Sequence, residues 1–268
     1  MVQRLLDVVD FRDAARAAEN LARLGDALAP ENQARLRALL AASADPDTAL
    51  HFLERLRQEQ PEAFARLAGT PEALRILVAV FSQSRFLAEA LLSHPGWLDP
   101  LLVPGVLEGT LSAEEYTDRL EAFLVRQPPP QPLNLSLALF RRQQVLRIFL
   151  RDALALATLP EITEELSNLA DAILEAACRR IREQLVARHG EPRPEAGAGA
   201  APCGLAVISL GKLGGKELNY SSDLDLMFLY SANGETDGPQ CLTNKEFFRK
   251  LSLSLIHISE PHETVLDL

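Results

Sequence analysis

Near residue 190 the apolar residues of this chain stop recurring every three or four positions and begin to fall in short runs bounded by glycine. No single secondary-structure class satisfies both patterns, because helices bury every third or fourth residue and strands every second. Before the change, Pro30, Asp45-Pro46-Asp47, Thr70-Pro71-Glu72 and His94-Pro95-Gly96 each interrupt an apolar periodic stretch. Thr70 is placed to cap a helix whose first position is Pro71, where a missing N–H costs nothing. Ser112 with Glu115, and Thr158 with Glu161, have capping-box spacing, in which hydroxyl and carboxylate satisfy each other's orphan amides. Ile162, Leu166, Leu169 and Ile173 then recur at spacings of four, three and four, one stripe of an amphipathic helix. Residues 1–189 therefore read as a helical region able to fold by burying its own stripes.

Pro128 to Pro132, with Gln131 among the prolines, reads as a stiff connector. The helix after it carries Arg141, Arg142, Arg147 and Arg151. Either one or two of these reach a phosphate, or they form a solvated or ion-paired face with buried stems. GEPRPEAGAGAAP, residues 190–202, has no periodicity and reads as a loop or linker. GLAVISL (204–210) and LDLMFLY (224–230) read as buried strands, SANGETDGPQ as a turn-rich loop, and TNKEFFRKLSLSL as a helix capped by Thr243 with Glu246. Residues 203–252 are thus the start of an α/β module.

Composition narrows the function classes. A formal charge of −10 gives no footprint for nucleic acid or an anionic membrane. No apolar run approaches the roughly 20 residues that span a bilayer, and Asp7, Asp10 and Asp13 break the first apolar stretch, unlike a signal peptide. Cys178, Cys203 and Cys241 are far apart, without metal-ligand spacing, and the five histidines add none. The expectation is a cytoplasmic protein in a reducing compartment.

The stretch GKLGGKELNYSSDLDLMFLY, residues 211–230, carries the chemistry. In an extended chain Asp223 and Asp225 project to one face and Leu224 and Leu226 to the other. Two adjacent carboxylates repel unless a cation lies between them, and oxygen donors of this kind suit Mg²⁺ or Mn²⁺ completed by substrate phosphates. Gly211, Gly214 and Gly215 allow a sharp turn whose amides can cradle a phosphate. Ser221 and Ser222 stand ready to bond the carboxylates or phosphates, and Lys212 or Lys216 to supply counter-charge. The alternative is a glycine-rich structural hairpin with two solvent-facing aspartates. A Walker loop fails on spacing, since only three residues separate Gly211 from Gly215-Lys216 and Glu217 stands where a hydroxyl is needed.

These residues resemble the signature of the glutamate–ammonia-ligase (glutamine synthetase) adenylyltransferase family. FSQSRFLAEALLSHPGWLD (81–99) and FRRQQVLRIFLRDALALATLPEITEELSNLADA (140–172) are similar to that family's helical segments. The resemblance implies a mainly α-helical N-terminal region followed by an α/β nucleotidyltransferase domain of the DNA polymerase β-like type. It implies a bifunctional enzyme, one half removing AMP from a tyrosine of glutamine synthetase by phosphorolysis with release of ADP, the other attaching AMP from ATP. The PII signal protein is the implied regulator, and ATP, ADP and phosphate are the implied ligands. LNYSSDLDL resembles the adenylyl-removing half. Carried onto this sequence, Asp223 and Asp225 are metal-binding and catalytic, and Gly211, Lys212, Gly214, Gly215 and Ser222 bind nucleotide phosphate.

The family's third carboxylate comes from a later strand, whereas this chain continues as IHISEPHETVLDL. Residues 253–268 read as a non-native tail and the nucleotidyltransferase domain as incomplete. Two other readings remain open: a non-catalytic helical interaction fragment, and a nucleotidyltransferase with another substrate.

Overall fold

The computed structural model describes residues 9, 11–126, 131–195 and 201–259. Part of the expected Pro128–Pro132 connector lies outside them. The chain divides into two compact units, residues 1–109 with 146–158, and residues 110–145 with 159–268. This division does not follow the expected boundary at 189, because the helix Leu159–His189 packs both on the helix Ala113–Arg126 and on the helix Asn244–Ser259.

In the first unit, α1 (Ala14–Ala27), α2 (Pro30–Ala41), α3 (Pro46–Glu59), α4 (Pro61–Ala68), α5 (Pro71–Gln83) and α6 (Arg85–Ser93) precede a 3₁₀ segment, Pro95–Leu102. Proline opens α2, α3, α4 and α5 at a position whose N–H has no helical partner. Asp45 caps α3, its carboxylate accepting from Thr48 N–H at 3.0 Å. Thr70 departs from expectation: its hydroxyl turns back to donate to Leu67 O at 3.2 Å, so α5 starts on Pro71 without a side-chain cap. The core lies chiefly between α3 and α5. Leu50, Leu53 and Leu56 and Leu74, Leu77, Val80 and Phe81 are buried there, and the rings of Phe52 and Phe81 lie 5.6 Å apart.

The helix α8 (Leu133–Ala153) contributes residues through 145 to the second unit and its remainder to the first. Arg147 and Arg151 are fully buried, which excludes a solvated face at those two positions. Arg147 donates to Val106 O at 2.9 Å and Gly109 O at 3.0 Å, so its fork satisfies loop carbonyls.

In the second unit, α7 (Ala113–Arg126) begins at the expected capping box: Ser112 N–H donates to Glu115 at 2.8 Å and Glu115 N–H to Ser112 Oγ at 3.1 Å. The 31-residue α9 (Leu159–His189) packs on α7 and on α11 (Asn244–Ser259). Its buried face includes the expected Ile162, Leu166 and Leu169, and also Glu165, Ser167 and Asn168. Glu165 accepts from Leu111 N–H at 3.1 Å and Tyr116 O–H at 3.0 Å. Gly190 ends α9 with its N–H donating to Val186 O at 2.8 Å. There the backbone passes so close to Gly238 that a Cβ on Gly190 would lie 2.2 Å from Gly238 N.

Two antiparallel pairs complete the described unit: β1 (Pro192–Pro194) with β4 (Gly234–Thr236), and β2 (Leu205–Ser209) with β3 (Leu226–Tyr230). Residues 190–202 are therefore not wholly loop, since β1 pairs within them. The second expected strand starts at Leu226 rather than Leu224. Between β2 and β3 lies a one-turn helix, α10 (Gly211–Gly214). Asn244, fully buried at the start of α11, donates to Arg193 O at 2.9 Å and Ala232 O at 3.0 Å. The expected Thr243–Glu246 box is present. Phe248 stacks on Tyr230 with centroids 5.5 Å apart. The helix does not break at 253: it runs on to Ser259 with Leu255 fully buried, and residues 260–268 lie outside the described set.

Candidate functional site

The glycine turn and the two aspartates meet at the start of the β2–β3 pair. Leu210 N–H donates to Asp225 O at 2.8 Å, continuing the ladder one step beyond β3. Along residues 223–229 exposure alternates strictly: Asp223, Asp225, Met227 and Leu229 are exposed, while Leu224, Leu226 and Phe228 are half-buried. The expected two-faced arrangement thus holds even though the regular strand begins only at Leu226. Gly211, at φ +55°, lies under the Asp225 carboxylate, and a Cβ there would sit 2.6 Å from Oδ2. Glycine is required by that approach as much as by the left-handed backbone. Gly214 is similarly close to the Ser209 carbonyl.

The amides sort differently from expectation. Those of Gly214 and Gly215 donate to Leu210 O and Gly211 O, both at 3.1 Å. They are spent inside the turn and do not form a phosphate cradle. Ser222 is also occupied: its hydroxyl donates to Asn219 Oδ1 at 2.7 Å and accepts from Asn219 N–H at 3.1 Å. Ser221 N–H donates to the same oxygen at 3.2 Å. Asn219 therefore organises the loop, and neither serine bonds an aspartate. Lys212 is exposed beside Gly211. Lys216 turns the other way, donating to Asn168 Oδ1 at 3.0 Å and Asp171 Oδ2 at 2.5 Å on α9.

Sequence reasoning missed Asn219, Ser167, Asn168 and Asp171. The available signal was SNLAD, residues 167–171, where polar side chains interrupt an otherwise apolar helix stripe.

Among the described residues no group of three or more His, Cys, Asp or Glu side chains is placed to hold a metal. Asp223 and Asp225 stand as a pair of hard oxygen donors on one open face. That suits a divalent cation that draws its remaining ligands from water and substrate phosphates. Among the described residues no helix is long and apolar enough to cross a membrane, and Cys178, Cys203 and Cys241 are free thiols.

Comparison with known proteins agrees with the quoted motif. A stretch of 38% identity over 217 residues relates the chain to a protein of Thioalkalivibrio sulfidiphilus, covering 80% of this chain and 22% of the relative. Proteins of Shewanella frigidimarina and Shewanella loihica are 34% and 32% identical over 72% and 76% of this chain. All three are named bifunctional glutamine synthetase adenylyltransferase/adenylyl-removing enzyme, and the chain spans only 20–22% of their lengths. The profile of glutamate-ammonia ligase adenylyltransferase matches residues 74–263, most of the chain and including residues 253–263 of the supposed tail. The chain belongs to the glutamate-ammonia ligase adenylyltransferase family.

Proposed function

We propose that this chain carries a nucleotidyl-transfer site of the DNA polymerase β-like type, acting on glutamine synthetase by phosphorolytic removal of AMP from an adenylylated tyrosine. The observation that carries the reading is the alternation along residues 223–229, which sets both aspartates on the open side of the β2–β3 pair, with Asp225 pressed against Gly211. In the reaction a phosphate oxygen forms a bond to the adenylyl phosphorus as the bond to the tyrosine oxygen breaks. The products are ADP and the tyrosine, whose oxygen takes up a proton.

Asp223 and Asp225 would hold Mg²⁺ or Mn²⁺, which when bound neutralises charge on the phosphoryl oxygens. Gly211 lets the backbone approach the Asp225 carboxylate without a side chain between them. Lys212, exposed at the same turn, is the cation available to an incoming phosphate. ATP, ADP and phosphate as ligands, the PII protein as regulator, and a cytoplasmic setting for the three free thiols follow from the same reading.

The test is incubation of the chain with adenylylated glutamine synthetase, phosphate and Mg²⁺, with ADP as the readout. Asp223→Asn and Asp225→Asn should each abolish ADP formation while the thermal midpoint stays unchanged, because both side chains are exposed. A double variant with the wild-type rate would refute the assignment. The absence of a third carboxylate partner among the described residues favours a second reading, a non-catalytic fragment that only binds glutamine synthetase. Co-sedimentation with glutamine synthetase without ADP formation would select it.

A further inference from the structure

Lys216 occupies a backbone position that a lysine should avoid. It lies at φ +56°, in the left-handed region. It closes α10 in a Schellman arrangement: Lys216 N–H donates to Leu213 O at 3.1 Å and Glu217 N–H to Lys212 O at 2.7 Å. Glycine is favoured at this place, yet the adjacent Gly215 has an ordinary φ of −85°. The side chain accounts for the lysine. Its ammonium reaches Asn168 Oδ1 and Asp171 Oδ2, one turn apart on α9. Asn168 is itself oriented, because its Nδ2 donates to Leu111 O at 2.9 Å and so turns Oδ1 toward the lysine. Two residues on, Leu218 N–H donates at 3.2 Å to Ser167 Oγ, which donates onward to Thr163 O at 2.8 Å. Leu213 and Leu218 are buried on either side. Residues 216–218 are thus pinned at both ends to a short stretch of α9.

We propose that Lys216, Asn168, Asp171 and Ser167 are positioning residues that latch the glycine turn to α9 and set its placement relative to Asp223 and Asp225. The proposal rests on the nucleotidyl-transfer reading of that turn, and it removes Lys216 from the candidates for phosphate counter-charge. The Lys216 and Asp171 side chains are 45% and 34% exposed, so their ion pair adds little to stability. Its effect is on where the turn lies.

The experiment uses the whole chain and three readouts: ADP binding in the presence of Mn²⁺, the thermal midpoint, and amide hydrogen exchange across residues 211–218. Lys216→Met and Asp171→Asn should weaken ADP binding tenfold or more and speed exchange at 214–217, whereas Lys216→Arg stays near wild type. Lys216→Gly is decisive. It relaxes the left-handed backbone, so it should melt no lower than wild type, yet lose ADP affinity as Lys216→Met does. Wild-type affinity in Lys216→Gly would reduce the lysine to a helix cap and overturn the proposal. No ADP binding by the wild type would overturn the nucleotide reading, and the positioning role with it. Wild-type exchange in Lys216→Met, alongside normal ADP binding by the wild type, would overturn the latch alone. Asp223→Asn separates the two readings further, since it should abolish Mn²⁺-dependent binding and leave exchange at 214–217 unchanged.

Discussion

Between α3 and α5 of the first unit the contacts are leucine, valine and phenylalanine, whereas β1, the loop before β4 and α11 of the second are joined through one buried asparagine. The two arrangements tolerate change differently. Apolar contacts are non-directional and respond to volume. The Asn244 amide is directional, because its Nδ2 must be aimed at the Arg193 and Ala232 carbonyls and also lies 3.2 Å from Cys203 Sγ. One region should forgive changes of shape-preserving chemistry, and the other should not.

The largest effect expected is that of emptying the apolar core. Phe81→Ala should cost about 3–5 kcal/mol in denaturant unfolding, while the near-isosteric Leu77→Met costs less than about 1.5 kcal/mol. The asparagine inverts that leniency. Asn244→Asp keeps the size but removes the donor, and should cost about 2–3 kcal/mol by the same measurement. Should Asn244→Asp prove as mild as Leu77→Met, the contrast between the two regions fails.

The smallest effect sharpens the comparison from within the first unit, where one buried charge behaves like the polar clasp. Arg57 grips Glu54 through two bonds of 2.8 Å, and Gln58 adds a third. The Arg57 bonds hold the Glu54 carboxyl below the usual carboxylate range, against the upward push of burial. Since the folded-state value is the lower one, the stabilisation is present above the ordinary glutamate range and is lost as pH falls through the folded value. Glu54→Gln should lower stability by about 1–2 kcal/mol at neutral pH and flatten the acid limb of the stability profile. An unchanged acid limb would show that other carboxylates govern it.

The same contrast explains what could be read from the sequence. Helix starts were legible where a cap and its partner lie within four residues, as at Ser112 with Glu115 and Thr243 with Glu246. The start of α4 at Pro61 is equally local but has no side-chain cap to announce it. At the site, the alternation from Asp223 to Leu229 was legible because it is a property of neighbours. The latch was not, since Lys216 and Asp171 are 45 positions apart and no periodicity links them. Ser222 is local yet differs from expectation: its hydroxyl donates to Asn219, three residues back, because an asparagine side chain competes for it in a turn that has no regular period to reveal the pairing. The strand β1 was invisible because Pro192-Arg193-Pro194 has no apolar alternation. Its extended form comes from pairing with Gly234–Thr236, at an edge where prolines are tolerated.

The crossing of Gly190 and Gly238 carries a consequence for how this protein can vary. A Cβ on Gly238 would lie 2.4 Å from the His189 carbonyl carbon, and one on Gly190 would meet Gly238 just as closely. Neither neighbour is a side chain that can swing aside. A side chain at either position would force the two main chains apart, and a smaller residue at the other could not rescue it, because both already have the smallest there is. In a survey of tolerated substitutions these positions would stand out as sharply as a pair of reactive carboxylates. What they preserve is the room for two main chains to pass.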